Sequence, residues 1–219
     1  MKHILLATSL CYSTTLLATP PFLDDQPRTH NGCILVAATQ CPKADLRHAQ
    51  LMHVDLSQAN LEGADLRGAN LQHAKLNNAN LRGALLQGAN LTRANIEHAD
   101  MRGAKLQEAK LDAVRAWALF AQGANFENAS LVGANLEFAR LSKARLVNAN
   151  LYASNLEMVW LSKADLTHAN LHSANLQEAK LNNSNLENAN MTESRIHYAT
   201  FQDAWMEGCQ ACPTDWQKY

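Results

Sequence analysis

Every fifth residue from Leu46 to Met206 is apolar, and nearly always Leu. The series has 33 positions, of which 24 are Leu; the others include Ile96, Met101, Phe126, Met191, Ile196 and Phe201. Two residues before each stands Ala, at 26 of 33 positions counted from Ala44, and the phase never slips. A period of five excludes both regular structures. On an α-helix each step of five advances about 140°, which scatters Leu around the cylinder. In an unbroken strand an odd spacing puts successive Leu on opposite faces. The chain must therefore turn every five residues, so that each short extended piece points Ala and Leu to one side. Four such turns close a square coil of about 20 residues. The expected architecture is an all-β solenoid of about eight coils, with four five-residue units per coil.

The units Ala44-Asp45-Leu46-Arg47-His48, Ala59-Asn60-Leu61-Glu62-Gly63 and Ala69-Asn70-Leu71-Gln72-His73 read A-(N/D)-L-x-x. They closely resemble the pentapeptide-repeat proteins over about residues 44–208. The resemblance implies a right-handed quadrilateral β-helix. It implies no single activity, because the family ranges from gyrase-binding, drug-resistance proteins that mimic DNA to luminal and periplasmic proteins without an assigned role. Fold alone does not settle function.

The ends divide the rest of the chain. Lys2, the apolar Ile4-Leu5-Leu6-Ala7 and the closing Leu16-Leu17-Ala18 make residues 1–18 read as a secretory signal, cleaved near Ala18. Its middle is polar (Ser9, Tyr12, Ser13), so a plain N-terminal tail is the alternative. Leu10 stands before Cys11 where lipid attachment wants a small residue. No later stretch has the roughly 20 unbroken apolar residues of a transmembrane helix. Residues 19–31, rich in Pro, read as a linker. Residues 32–43 include the apolar run Ile34 to Thr39 and form an N-terminal cap over the first coil. The repeat body is 44–208 and a C-terminal cap is 209–219, with Trp205, Met206 and Trp216 placed to cover the last coil.

Four cysteines follow the signal: Cys33, Cys41, Cys209 and Cys212. A rod of about eight layers at about 4.8 Å is about 40 Å long. Disulfides need Cα atoms within about 7 Å. Pairs across the rod are excluded, which leaves Cys33–Cys41 and Cys209–Cys212, each pinning a cap. Cys209-Gln-Ala-Cys212 lacks the helix N-terminus of a thioredoxin-like motif and the further ligands of a zinc site.

Residues 20 apart stack in columns. His53 and His73 share one, but it continues as Arg93, so no metal is expected there. The column Asn70, Asn90, Lys110, Ser130, Asn150, Asn170, Asn190 reads as an amide ladder between layers. Sequons at Asn90, Asn128 and Asn190 arise from the Asn-rich repeat itself. No nucleophile–base pair, phosphate loop or paired carboxylate stands out, so the chain reads as a non-enzyme without a cofactor.

One stretch departs from the consensus. In residues 112–123 the Leu positions hold Ala116 and Ala121, while the Ala positions hold Val114 and Leu119. Large and small exchange places at roughly constant volume, so the coil should persist, with room for a local bulge. Outside it, Phe120, Arg140 and Trp160 share a column. Phe138 and Met158 share the neighbouring one with Ala118, next to Trp117. Arg140 between two rings suggests a cation–π stack. These six side chains (Trp117, Phe120, Phe138, Arg140, Met158, Trp160) form the candidate site, either a protein-binding or self-association surface or rings that tuck over the irregular coil.

Charge separates the functional classes. Lys plus Arg number 19 against 20 Asp plus Glu. A nucleic-acid binder carries a basic excess, and a DNA mimic needs acidic columns. The sequence therefore reads first as a periplasmic or secreted binding scaffold. A topoisomerase-binding DNA mimic and a purely structural envelope rod are the alternatives.

Overall fold

The computed structural model describes residues 28–214. The signal-like segment, most of the linker and Trp216 lie outside them. From Gln40 to Gln210 every fifth residue is bridged in parallel to the residue 20 positions on, as in Asp45↔Asp65, Gln50↔Asn70, Asp55↔Lys75 and Asn60↔Asn80. Four columns of bridges thus run down four faces. The bridged residue lies between the inward Ala and Leu, and the next two after Leu make the turn. Leu46 through Met191 and the Ala positions from Ala49 to Ala189 are buried along the whole body. Each extended piece carries a single bridge, because the turn begins directly after Leu.

One unit shows why Asn or Asp recurs at the bridge. In Ala79-Asn80-Leu81-Arg82-Gly83, all five backbone N–H groups are satisfied. Asn80 donates back to Ala59 O at 2.8 Å, while Leu81 and Gly83 donate forward to Asp100 O and Arg102 O at 2.7 and 3.0 Å. Ala79 closes the preceding turn on Leu76 O at 3.0 Å. The remaining N–H, on Arg82, donates to the side-chain Oδ1 of Asn80 at 3.2 Å. The consensus Asn/Asp thus completes the accounting that a close-packed backbone demands. An isolated ladder of amides is the minor use. In the column singled out by sequence, Asn170 donates to Asn150 Oδ1 at 3.0 Å, and Asn70 donates to Gln50. Asn70, Asn90, Asn150, Asn170 and Asn190 all also accept from the turn. Side-chain amides run more regularly through Asn135, Asn155 and Asn175.

The second turn residue has positive φ throughout, for example +57° at His48 and +61° at Gly83. No Val, Ile or Thr occupies this position from Lys43 to Gly208. Branching at Cβ is disfavoured in the left-handed region, so the series reads as a steric filter. Two buried Ser replace Ala without leaving a polar orphan: Ser154 and Ser184 donate to Leu151 O and Leu181 O at 2.8 and 2.7 Å. A reciprocal pair tests the role of the bridge residue. Asn90→Ala should lower stability by about 0.5 kcal/mol in denaturant titration, and Leu85→Asn should raise it by a similar amount. No change in either midpoint would reject it.

The irregular coil keeps its phase. Asp100↔Phe120 and Phe120↔Arg140 remain bridged, and Ala116 and Ala121 donate to Asn135 O and Arg140 O at 2.8 and 2.9 Å. The local bulge allowed by the sequence is absent, because the volume exchange leaves the backbone undisturbed. Val114, Ala116, Leu119 and Ala121 are all buried. Phe126, in the same coil, adds volume at a Leu position.

At the N-terminus two strands, β1 (Thr29–His30) and β2 (Cys33–Ile34), pair antiparallel across Asn31-Gly32. This hairpin begins inside the stretch assigned to the linker, so the folded cap starts earlier than residue 32. Cys33 and Leu35 face the core, and Asn31 Nδ2 donates to Asp45 O at 2.9 Å. Cys33 and Cys41 are bonded, as are Cys209 and Cys212. At the far end Trp205 sits at a bridge position and is 56% exposed. It points outward and does not cover the last coil. Phe201, Met206 and Cys212 pack on the core there. Among the described residues no helix is long and apolar enough to cross a membrane.

Candidate functional site

The bridge column that contains Asn60, Asn80 and Asp100 changes character halfway down the rod. Those three accept from the N–H of Glu62, Arg82 and Arg102 at 3.3, 3.2 and 3.2 Å. Below them the column reads Phe120, Arg140, Trp160, Lys180. None of these four offers an acceptor to its turn. Water can take an exposed N–H, so the loss is about 0.5 kcal/mol per coil, at the low end for a hydrogen bond.

The replacement side chains pack on each other. The Arg140 guanidinium carbon lies 5.2 Å from the Phe120 ring centre and 5.6 Å from that of Trp160. Each exposed cation–π contact contributes about 0.5–1 kcal/mol. The gain roughly offsets the lost turn bonds, so stability does not explain the choice of residues. On the adjoining corner Trp117 meets Phe138 edge-on at 5.7 Å, and His98 at 4.8 Å. Met158 lies one coil further along. The six predicted residues thus form two stacks, one in the bridge column and one on the turn, because Leu119, Ala139 and Val159 point inward between them. His98 was missed from sequence; its signal was its place one coil before Ala118.

Trp117, Phe138 and Trp160 remain 38%, 40% and 53% exposed, whereas Phe120 and Met158 are half-buried. The backbone beneath the rings keeps its bridges, without a bulge. The core under them is as fully buried as in coils without rings, such as that of Ala104 and Leu106.

Other constellations are smaller. His53 and His73 stack at 4.8 Å with 8° between planes. Among the described residues no three His, Cys, Asp or Glu converge as metal ligands. His172 contacts Thr192 Oγ1 through Nδ1 at 2.6 Å and stacks on Tyr152, a link that the column arithmetic did not single out. A hollow of about 420 Å³ opens between the cap and first coil, lined by Arg28, His30, Leu35 and His48 among others. Some acidic groups along the rod are paired, Asp45 with Arg47 and Asp65 with Arg67, both at 2.6 Å, and Glu97 with Arg115 at 2.7 Å. Others, such as Glu108, Glu178 and Glu187, face no base within ion-pair distance among the described residues. Hydrogen bonds from Arg47 and Arg67 hold the carboxyls of Asp45 and Asp65 below the usual carboxylate range.

Comparison with known proteins bears on the repeat itself. Eight copies of the pentapeptide repeat are matched over residues 44–83, 74–112, 122–157, 149–188 and 174–209. The chain is a pentapeptide repeat protein. Members of this family are right-handed quadrilateral β-helices. The matches skip residues 113–121, the segment that holds Trp117 and Phe120. The structure is similar to HetL, a pentapeptide repeat protein involved in heterocyst differentiation regulation from the cyanobacterium Nostoc sp. strain PCC 7120. Identity is 28%, with 78% of this chain and 86% of HetL covered and a TM-score of 0.56. QnrB1, a plasmid-mediated fluoroquinolone resistance protein, aligns over 75% of this pentapeptide repeat protein and 90% of its own chain. Its identity is 14% and its TM-score 0.39. A pentapeptide repeat protein of the Arabidopsis thaliana thylakoid lumen shares 25% identity over 47% of this chain and 69% of its own, at a TM-score of 0.36. No curated protein sequence matches.

Proposed function

We propose that this pentapeptide repeat protein is an exported, non-enzymatic binding scaffold that presents the Trp117–Trp160 corner to a protein partner or to a second copy of itself. One observation carries the reading. Over four consecutive coils the face gives up its turn-capping Asn for Phe120, Arg140, Trp160 and Lys180, with no net gain in stability. Exposed rings beside Arg are the composition of an interface hot spot. Apolar side chains left in water lose a favourable burial and invite aggregation unless a partner covers them. A DNA-mimicking role is less well supported, since 19 Lys plus Arg stand against 20 Asp plus Glu and the bridge columns interleave acids with Asn and bases.

Trp160→Ala with Phe138→Ala should leave the melting temperature nearly unchanged and abolish partner capture or dissociate a dimer. Truncation at such anchors typically costs about 2 kcal/mol or more of binding energy. Equal partner recovery and an identical oligomeric state in wild type and double variant would reject the surface. Export rests on the leader-like residues 1–18 and on the paired cysteines, which persist in oxidising compartments. The intact mass of protein from its natural source should correspond to a chain starting near Thr19. A cytosolic protein retaining residues 1–18 would overturn export.

A further inference from the structure

We infer that the segment recognised at this corner is an acidic stretch of polypeptide, a reading that rests on the corner being a binding surface. The Phe120 column and the turn that follows it form one strip. Between Phe120 and Asn183 its outward residues are Arg140, Lys143, Lys163 and Lys180, the two rings, and otherwise only Gln, Gly, Ser and Asn. The strip carries four cations and no acid on a chain whose formal net charge is −1. All four cations are exposed, and none pairs with a carboxylate among the described residues. Elsewhere on the rod the cations are mixed: Arg47, Arg67, Arg102, Arg115 and Arg145 each hold an acid, whereas Arg82, Arg93, Lys105, Lys110 and Arg195 pair with none among the described residues.

The cations are also stacked against repulsion. Lys143 and Lys163 occupy the same turn position in adjacent coils, about 4.8 Å apart along the rod. The four coils before them place Gly63, Gly83, Gly103 and Gly123 there. Like charges so placed repel, and an acidic ligand relieves that repulsion on binding. On the opposite flank Glu137 and Glu157 accept from Asn155 and Asn175 and bound the strip. Nucleic acid fits less well. Arg140 covers a face of both Phe120 and Trp160, so neither ring is an open platform for a stacking base. Ring edges between cations suit a peptide that alternates carboxylates with apolar side chains.

The test uses the full chain and fluorescence anisotropy with three labelled probes: a dodecapeptide of Asp, Gly and two Leu, its Lys-for-Asp counterpart, and oligothymidylate. The acidic peptide should bind and the basic one should not. Lys143→Glu with Lys163→Glu should weaken the acidic peptide about tenfold or more, an effect that fades with salt. These substitutions suit the backbone, since Glu108, Glu178 and Glu193 already adopt the same turn conformation with φ of 60°, 57° and 58°. Equal binding of both peptides, oligothymidylate binding as tightly as the acidic peptide, or no effect of charge reversal would overturn the inference. If Trp160→Ala weakens binding while charge reversal does not, the corner stands and the acidic partner falls. If charge reversal abolishes binding and Trp160→Ala leaves it intact, the acidic partner stands and the aromatic corner falls.

Discussion

Leu119→Ala will destabilise the protein by about 2–5 kcal/mol, and adding Ala121→Leu to the same chain will restore much of the loss. Both residues are fully buried in the one coil where large and small side chains have exchanged places. Alone, Leu119→Ala leaves two Ala flanking Phe120 and opens a cavity that a bridged backbone cannot close. Alone, Ala121→Leu puts two Leu where the other units hold one, and overpacking costs about 1–3 kcal/mol. Together they rebuild the consensus Ala-Phe-Leu. Denaturant titration of the four proteins in the cycle gives the coupling. Additive costs would show that the two positions do not share volume and that the exchange is coincidental.

Replacing Cys33 and Cys41 by Ser will loosen the cap and the first coils while leaving distant coils protected. The bond closes a loop with a sequence separation of 8. In the chain-entropy account such a loop contributes about 2–3 kcal/mol. Cys33 is buried against the first coil, so the substitution also places a polar group on the core. Solenoid coils couple mainly to their neighbours, so the loss should decay along the rod. Hydrogen exchange read peptide by peptide is the measurement. Uniform acceleration through Leu181 would show that the rod unfolds as one unit, and free Cys33 in non-reducing peptide maps would reject the bond itself.

The core was legible in the sequence because one period generates it. Knowing that Leu46 and Leu51 point inward is enough to place Leu176 and Leu181. Twenty-residue arithmetic likewise set Arg140 between Phe120 and Trp160. It could not say that Trp117 turns toward His98 and Phe138, since rotamers on a corner are not periodic. The second role of Asn, capping its own turn, is hidden in the sequence for a related reason. An amide between layers and an amide capping its own turn occupy the same column, and only the position of the turn N–H distinguishes them. The cap hairpin did have a sequence signal, Asn31-Gly32 between short β-prone pairs. It was masked by the Pro-rich run before it. Trp205 has the phase of an outward residue, and phase proved a better guide to its place than size.

Because bridges join each residue to the one 20 positions on, reach and bearing along this rod can be set separately. Removing residues 65–84, one full circuit, would bring the aromatic corner nearer to the disulfide-bonded cap by one layer, about 4.8 Å, with both still on their original sides. Removing a single unit of five would keep the core continuous yet swing everything after it through a quarter turn. Chain length therefore acts on such a molecule as both a ruler and a compass: whole circuits change how far apart two features lie, and fractions of a circuit change which way they face.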